Sequence, residues 1–260
     1  MKRIMQLSTI LGGSLVVMLL AAPAHAQATR TWVSGTGNDA NPCSRTAPCQ
    51  TFAGALSKTA TAGEINCLDS SGFGTLNITK SITIRCKGVI GSILAAGTTG
   101  IIVNSATARV LISGLDIQGA NTGTTGIRII AAQKVWIKDV EISQFQNNGI
   151  NVESTSAHVF VDNSFILNNG QAVGTFGGVN LAGTSNVANL RNTQILFNGN
   201  GATGFSVNAS SASAIMSLQT SVLNDSANGI SRAAGAQVIC VGPSNLIAGA
   251  GTCSSSLLFL

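Results

Sequence analysis

The chain has 260 residues, 14 Lys and Arg against 9 Asp and Glu, and a formal net charge of +5. Charged residues are only 9% of it, tyrosine is absent, and 30 residues are glycine. Leaving out Lys2 and Arg3, 12 basic residues face 9 acidic ones, an excess too mild and too scattered for a nucleic-acid partner.

The chain opens on MKRIMQLSTILGGSLVVMLLAAPAHAQA. A charged start, an apolar stretch from Ile10 to Leu20 and the small residues Ala24 and Ala26 before Gln27 read as a secretory signal peptide over 1–26. The apolar stretch is short for a membrane span, so no membrane insertion is expected. The remainder, 27–260, is expected to be exported to the periplasm or the medium as one domain. A strand and a short capping helix are predicted over 27–63, coils over 64–235 and a C-terminal cap over 236–260. In the helix, Phe52, Ala55 and Leu56 share one face, able to cover an open end of the core.

All six cysteines, Cys43, Cys49, Cys67, Cys86, Cys240 and Cys253, lie beyond the leader. An even number in an exported chain reads as disulfides. Fifteen pairings are open. The local set Cys43–Cys49, Cys67–Cys86 and Cys240–Cys253 is preferred, because each bond closes a small loop and the three staple the two ends. Zinc is the rival reading, weakened by the lack of a Cys-x-x-Cys pair and of a nearby His.

The middle of the chain repeats. A glycine followed by alternating apolar residues recurs as GIIV (100–103), GIRI (126–129), GINV (149–152), GVNL (178–181), GFSV (204–207) and, more weakly, GISR (229–232). A second pattern follows as VLISGLDI (110–117), VWIKDVEI (135–142), VFVDNSFI (159–166), ANLRNTQI (188–195) and MSLQTSVL (216–223). The period is about 25 residues, with no stretch of helical periodicity between the patterns. Three very short strands per unit, each pairing with its counterpart one coil away, give an all-β parallel β-helix. Ile150 and Val152 then stack on Ile127 and Ile129, and on Val179 and Leu181. The middle of the second pattern holds Gly114, Asp139, Asn163, Asn192 and Thr220. A tight corner there needs positive φ, which Gly accepts freely and Asn and Asp better than most. Thr220 suits it poorly and predicts an irregular last coil. Asn163 and Asn192 are expected to hydrogen-bond along the axis.

The segment TWVSGTGNDANPCSRTAPCQTFAGALSKTATAGEINCLD resembles the leading segment of right-handed parallel β-helix proteins of the pectin-lyase-like superfamily. The matching residues are Val33, Ser34, Gly37, Asp39, Asn41 and Pro42, then Ala47, Pro48 and Thr51, then Gly63, Glu64 and Ile65. Cys43 and Cys49 depart from the usual residues. With the repeats, the resemblance covers the chain beyond the leader. It implies this fold and a polysaccharide or surface glycan as partner, and it leaves the activity open, because one fold hosts many functions.

No familiar catalytic constellation is legible. On the strand after the glycine, the outward column reads Ile102, Arg128, Asn151, Asn180, Ser206 and Ser231. Arg128 with Glu153 is one candidate catalytic pair, weighed against a plain surface ion pair. Asp116 with Glu141, on adjacent coils, is the second, since close carboxylates perturb each other's pKa. Trp136 and Phe160 form a candidate binding patch, flanked by Lys134 and His158. Ser113, Lys138, Asp162 and Arg191 read as a salt-bridge ladder. No metal set is recognised and no cofactor is required, with Ca2+ the one ion left open; Asn38, Asp39 and Asn41 suit an Asx turn better than a calcium loop. The leading expectation is non-catalytic polysaccharide or cell-surface binding. The alternatives are a polysaccharide lyase or glycoside hydrolase with a divergent site, and a structural or adhesive surface protein.

Overall fold

The computed structural model describes residues 27–257 apart from Asp225; the expected leader over 1–26 lies outside the described residues. Among these, the strands form three parallel sheets of ten, eight and seven strands. Each strand pairs with its counterpart one coil away, and the whole winds as a right-handed parallel β-helix. The ten-stranded sheet A carries the first half of the VLISGLDI-type pattern, the eight-stranded sheet B the second half, and the seven-stranded sheet C the strand after the glycine.

The alternating apolar residues make this stack. One buried column in sheet A runs Ile84, Ile112, Ile137, Val161, Leu190, Leu218 and Cys240, each in register with the next. In sheet C, Ile127 and Ile129 pair with Ile150 and Val152, which pair with Val179 and Leu181. A fully buried Ile or Val stabilises by roughly 1.5–3 kcal/mol, so every coil depends on its neighbours to cover its apolar face.

The predicted corner is present at all five positions the repeat marks. Gly114, Asp139, Asn163, Asn192 and Thr220 all have φ between 48° and 74°. Asn163 donates to the Asp139 carboxylate at 2.6 Å, and Asn192 donates to Asn163 at 2.8 Å. Thr220 does not break the pattern: the strand Ile215–Gln219 pairs along its whole length with Gln237–Val241. Rows of parallel hydrogen bonds on both sides outweigh the unfavourable backbone of one residue.

One register differs from the repeat alignment. Gly178 and Gly204 are not equivalent, because Val179 pairs with Val207 and Gly177 with Phe205. Ser206 is therefore buried, its hydroxyl against that of Ser226, and Asn208 follows Asn180 in the column. Gly204 belongs to a turn, where its N–H meets the Gly201 carbonyl. Gly177 has no side chain to oppose the Phe205 backbone; a Cβ there would lie 1.9 Å from the Phe205 carbonyl oxygen.

A helix, α1 (Phe52–Lys58), closes the N-terminal end and buries Phe52, Ala55 and Leu56. Thr51 caps it by accepting from the Gly54 N–H, and Phe52 meets Phe73 with ring centroids 5.1 Å apart. Asp39 accepts from the N–H groups of Gln50 and Thr51 and from the Thr51 hydroxyl, while Asn38 accepts from the Ala40 N–H. The Asn38 contact is the expected Asx turn, whereas Asp39 reaches across the chain to the residues that lead into α1. The three preferred disulfides are present, with Cα atoms 4.6 Å (Cys43–Cys49), 4.8 Å (Cys67–Cys86) and 5.8 Å (Cys240–Cys253) apart.

Candidate functional site

The corner between sheets A and B is one residue long from Gly114 to Thr220, but it is longer toward both ends of the stack and longest in the coil just before Gly114. Arg85 pairs with Ser113 and Gly91 with Leu115. Five residues, Cys86 to Ile90, therefore occupy the corner that Gly114 alone occupies one coil on. The inserted corner is tied down by the Cys67–Cys86 disulfide and by close packing of Gly114, where a Cβ would sit 2.1 Å from the Cys86 carbonyl oxygen. It stands out from the stack as a wall. Val89 and Ile90 on this wall, Leu115 and Val140 on the floor and Phe165 opposite enclose a concavity of about 410 Å³.

Three acids line this concavity: Asp116, Glu141 and, at the corner, Asp139. Asp116 and Glu141 are register partners on the strands Leu115–Gly123 and Glu141–Phe145, and Phe165 follows Glu141 in the same column. Alternation along each strand points all three side chains outward. Burial pushes the Asp116 carboxyl above the usual carboxylate range. Burial and then the Asp116 charge push Glu141 up as well. Among the described residues no ion pair neutralises either acid. Asp139 is engaged by Asn163. The Asp116 and Glu141 carboxyls are thus displaced toward the neutral form, the first by burial alone and the second by burial and then by the Asp116 charge. An adjoining concavity of about 480 Å³ shares Gly114 and Asp139 and adds Arg85, Lys87 and Lys138.

Arg128 and Glu153 meet as a bidentate pair, with both Arg128 nitrogens 2.8 Å from Glu153 oxygens. Asn151 donates to the same carboxylate at 2.8 Å and accepts from Asn180 at 2.9 Å. The hydrogen bonds to Glu153, with burial opposing them, hold the Arg128 guanidinium above its ordinary value. Both Glu153 oxygens are thus committed, which is the arrangement of a surface clamp between coils. In the expected ladder, Arg191 holds Asp162 through two bonds of 3.0 and 2.9 Å.

On sheet A, Trp136 and Phe160 are register partners with stacked rings, centroids 5.7 Å apart and 14° between planes. Both are half-buried, and Arg109, Lys134 and His158 run beside them in register. A further concavity, about 750 Å³, sits by the N-terminal cap between Trp32, Pro42 and Lys58 and has no acid in its lining. Among the described residues no group of three or more His, Cys, Asp or Glu is placed to hold a metal ion, and no helix is long and apolar enough to cross a membrane.

The sequence paired Asp116 with Glu141 and Arg128 with Glu153; the first two are register partners on adjacent coils and the second two are hydrogen-bonded. It missed the wall that encloses the first pair. The signal was the extra length after Arg85, where Cys86-Lys87-Gly88-Val89-Ile90 replaces a single corner residue. A second missed feature is the buried ladder of Asn169 and Asn198, which satisfies backbone groups inside the turns beside sheet C.

No family model and no curated protein matches the sequence. Among solved structures, the chain is similar to pectate lyase Pel9A, at 13% identity over 87% of this chain and 78% of that one, with a TM-score of 0.58. It is also similar to an alginate lyase from Paenibacillus sp. str. FPU-7, at 17% identity over 84% and 87% of the two chains, with a TM-score of 0.56. The fold defines the class: right-handed parallel β-helix proteins related in architecture to pectate- and alginate-lyase-like structures. At these identities the likeness is one of fold.

Proposed function

We propose that the protein is an exported polysaccharide-cleaving enzyme whose reacting groups are Asp116 and Glu141. The observation that carries this reading is two carboxyl groups on adjacent coils, both with raised affinity for a proton, at the floor of a walled concavity. Perturbed acids in a cleft are what acid–base chemistry needs. The two structures of like fold carry lyase names, one for pectate and one for alginate, which supports a polysaccharide substrate here.

The arrangement favours hydrolysis of a glycosidic bond over elimination. In hydrolysis one carboxylic acid protonates the leaving oxygen while an ionised partner meets the sugar from the other side. Two carboxyls whose different surroundings set their proton affinities apart can divide the two roles between them. Strands on adjacent coils stand about 4.8 Å apart, near the roughly 5–5.5 Å carboxyl separation of retaining enzymes and short of the 6.5–9.5 Å of inverting ones. Net retention of anomeric configuration is the expected outcome. Ile90 and Phe165 are exposed and present apolar surface to the flat faces of sugar rings.

The test incubates the purified chain, without residues 1–26, with acidic and neutral polysaccharides while following both new reducing ends and unsaturated uronate. The proposal expects reducing ends without unsaturated product, and their loss in Asp116→Asn and Glu141→Gln. Unsaturated product would replace hydrolysis by elimination. Silence on every polymer would overturn the enzyme reading.

A further inference from the structure

We infer that the outer face of sheet A holds a second, non-catalytic site for one uronate unit of an acidic polysaccharide, centred on Trp136 and Arg109. Residues 134, 136 and 138 alternate outward on the strand Lys134–Lys138. One side of the indole meets the Phe160 ring. Trp136 also lines a concavity of about 250 Å³ with Thr83, Arg109 and Leu111. That volume is below the roughly 300–1,000 Å³ of ordinary small-molecule pockets, so it accepts a single ring and leaves the rest of a polymer on the surface.

Charge identifies the occupant. Arg109, Lys134 and His158 form one column beside the aromatic pair, and Lys138 lies on the other side. Arg109 spends its Nε on Gln133 at 2.7 Å, leaving the end of the guanidinium fork for a carboxylate. The acids on the same face are already matched. Asp162 is held by Arg191, and Glu64 lies between Arg30 at 3.5 Å and Arg85 at 3.8 Å. An aromatic surface bordered by Arg109 and Lys134, neither of them in an ion pair among the described residues, suits a flat sugar ring carrying an anion. A neutral glycan would leave the cations unused, and a polyanion without rings would leave the indole unused. The site lies on a different sheet from the Asp116–Glu141 concavity, so it holds polymer without touching the bond that is cut.

The test is calorimetric titration with a short oligogalacturonate and, separately, a neutral cello-oligosaccharide of the same length. All titrations use Glu141→Gln protein, so that binding is read without turnover and stands apart from the cleavage reading. Binding of the acidic oligosaccharide alone is expected, weakened roughly tenfold by adding Trp136→Ala and by a similar factor on adding Arg109→Gln. Adding Ser217→Ala, further along the same sheet, leaves affinity unchanged. Circular dichroism and thermal unfolding establish that each variant is folded. Equal affinity with and without Trp136, equal binding of the neutral oligosaccharide, or no binding of the acidic one would each overturn the inference.

Discussion

Replacing Asp116 by Asn is expected to make the protein more stable and inactive at once. Asp116 and Glu141 are in register on adjacent coils with no cation paired to either among the described residues. Taking the charges as roughly 5–6 Å apart in an effective dielectric of 40–80, their repulsion is about 1 kcal/mol. Glu141 is exposed, so solvent screening holds the value at the low end. Asp116→Asn removes it, which corresponds to a rise in Tm of about 2–4 °C for a chain of this size. Glu141→Gln removes the same repulsion, and the double variant adds to either single one only the burial cost of the remaining carboxylate. The sign with pH follows from the raised carboxyl values. The folded protein binds more protons than the unfolded chain in the window above the ordinary carboxylate range, so wild-type stability falls as pH rises through the folded values. The gain from the amide is therefore present at neutral pH and gone below about pH 4. Thermal unfolding of all four proteins at both pH values, beside reducing-end release, is the assay. A lower Tm for Asp116→Asn at neutral pH, or an equal gain at both pH values, would refute the electrostatic reasoning.

Three further outcomes follow from the fold. Asn169→Ala leaves the buried Phe145 N–H and Ile142 carbonyl without their partner; at roughly 1–3 kcal/mol per orphaned group, urea unfolding should show a loss of about 2–4 kcal/mol. Thr220→Asn relieves a β-branched residue at φ 50° and lengthens the ladder from Asn192, with an expected gain of about 0.5–1 kcal/mol in the same measurement. At Asp39, burial raises the carboxyl, but hydrogen bonds from the Thr51 side chain and backbone and from Gln50, with the Lys58 charge, outweigh it and hold it below the ordinary value. Its contribution is present above the ordinary carboxylate value and lost as pH falls through the lowered one, so Asp39→Asn should flatten the acid limb of a stability-versus-pH curve.

Different parts of the molecule were legible in the sequence to different degrees. Inward residues of a β-helix must stack on their own kind, so Ile127, Ile150 and Val179 announced both period and register. Positive φ restricts residue choice, so Gly114, Asp139, Asn163 and Asn192 announced the corner. The alignment failed at Gly204, because a turn glycine and a strand-leading glycine look alike in sequence. Only the pairing of Val179 with Val207 separates them. Asp116 and Glu141 were visible as neighbours because the register placed them so. The wall beside them was not, because it comes from Cys86 to Ile90, a lengthened corner that the coils from Gly114 to Thr220 lack. The buried Asn169 and Asn198 resembled ordinary turn residues, since their partners are backbone groups that leave no pattern in sequence.

The central claim is that chemistry resides at the corner beside sheet B and not at the Arg128–Glu153 pair on sheet C. The most direct test compares wild-type, Glu141→Gln and Glu153→Gln proteins side by side for reducing-end release from the same panel of acidic and neutral polysaccharides. The account predicts that Glu141→Gln falls at least about 100-fold while Glu153→Gln keeps wild-type turnover. Turnover that survives Glu141→Gln, or that disappears with Glu153→Gln in a folded protein, would contradict it.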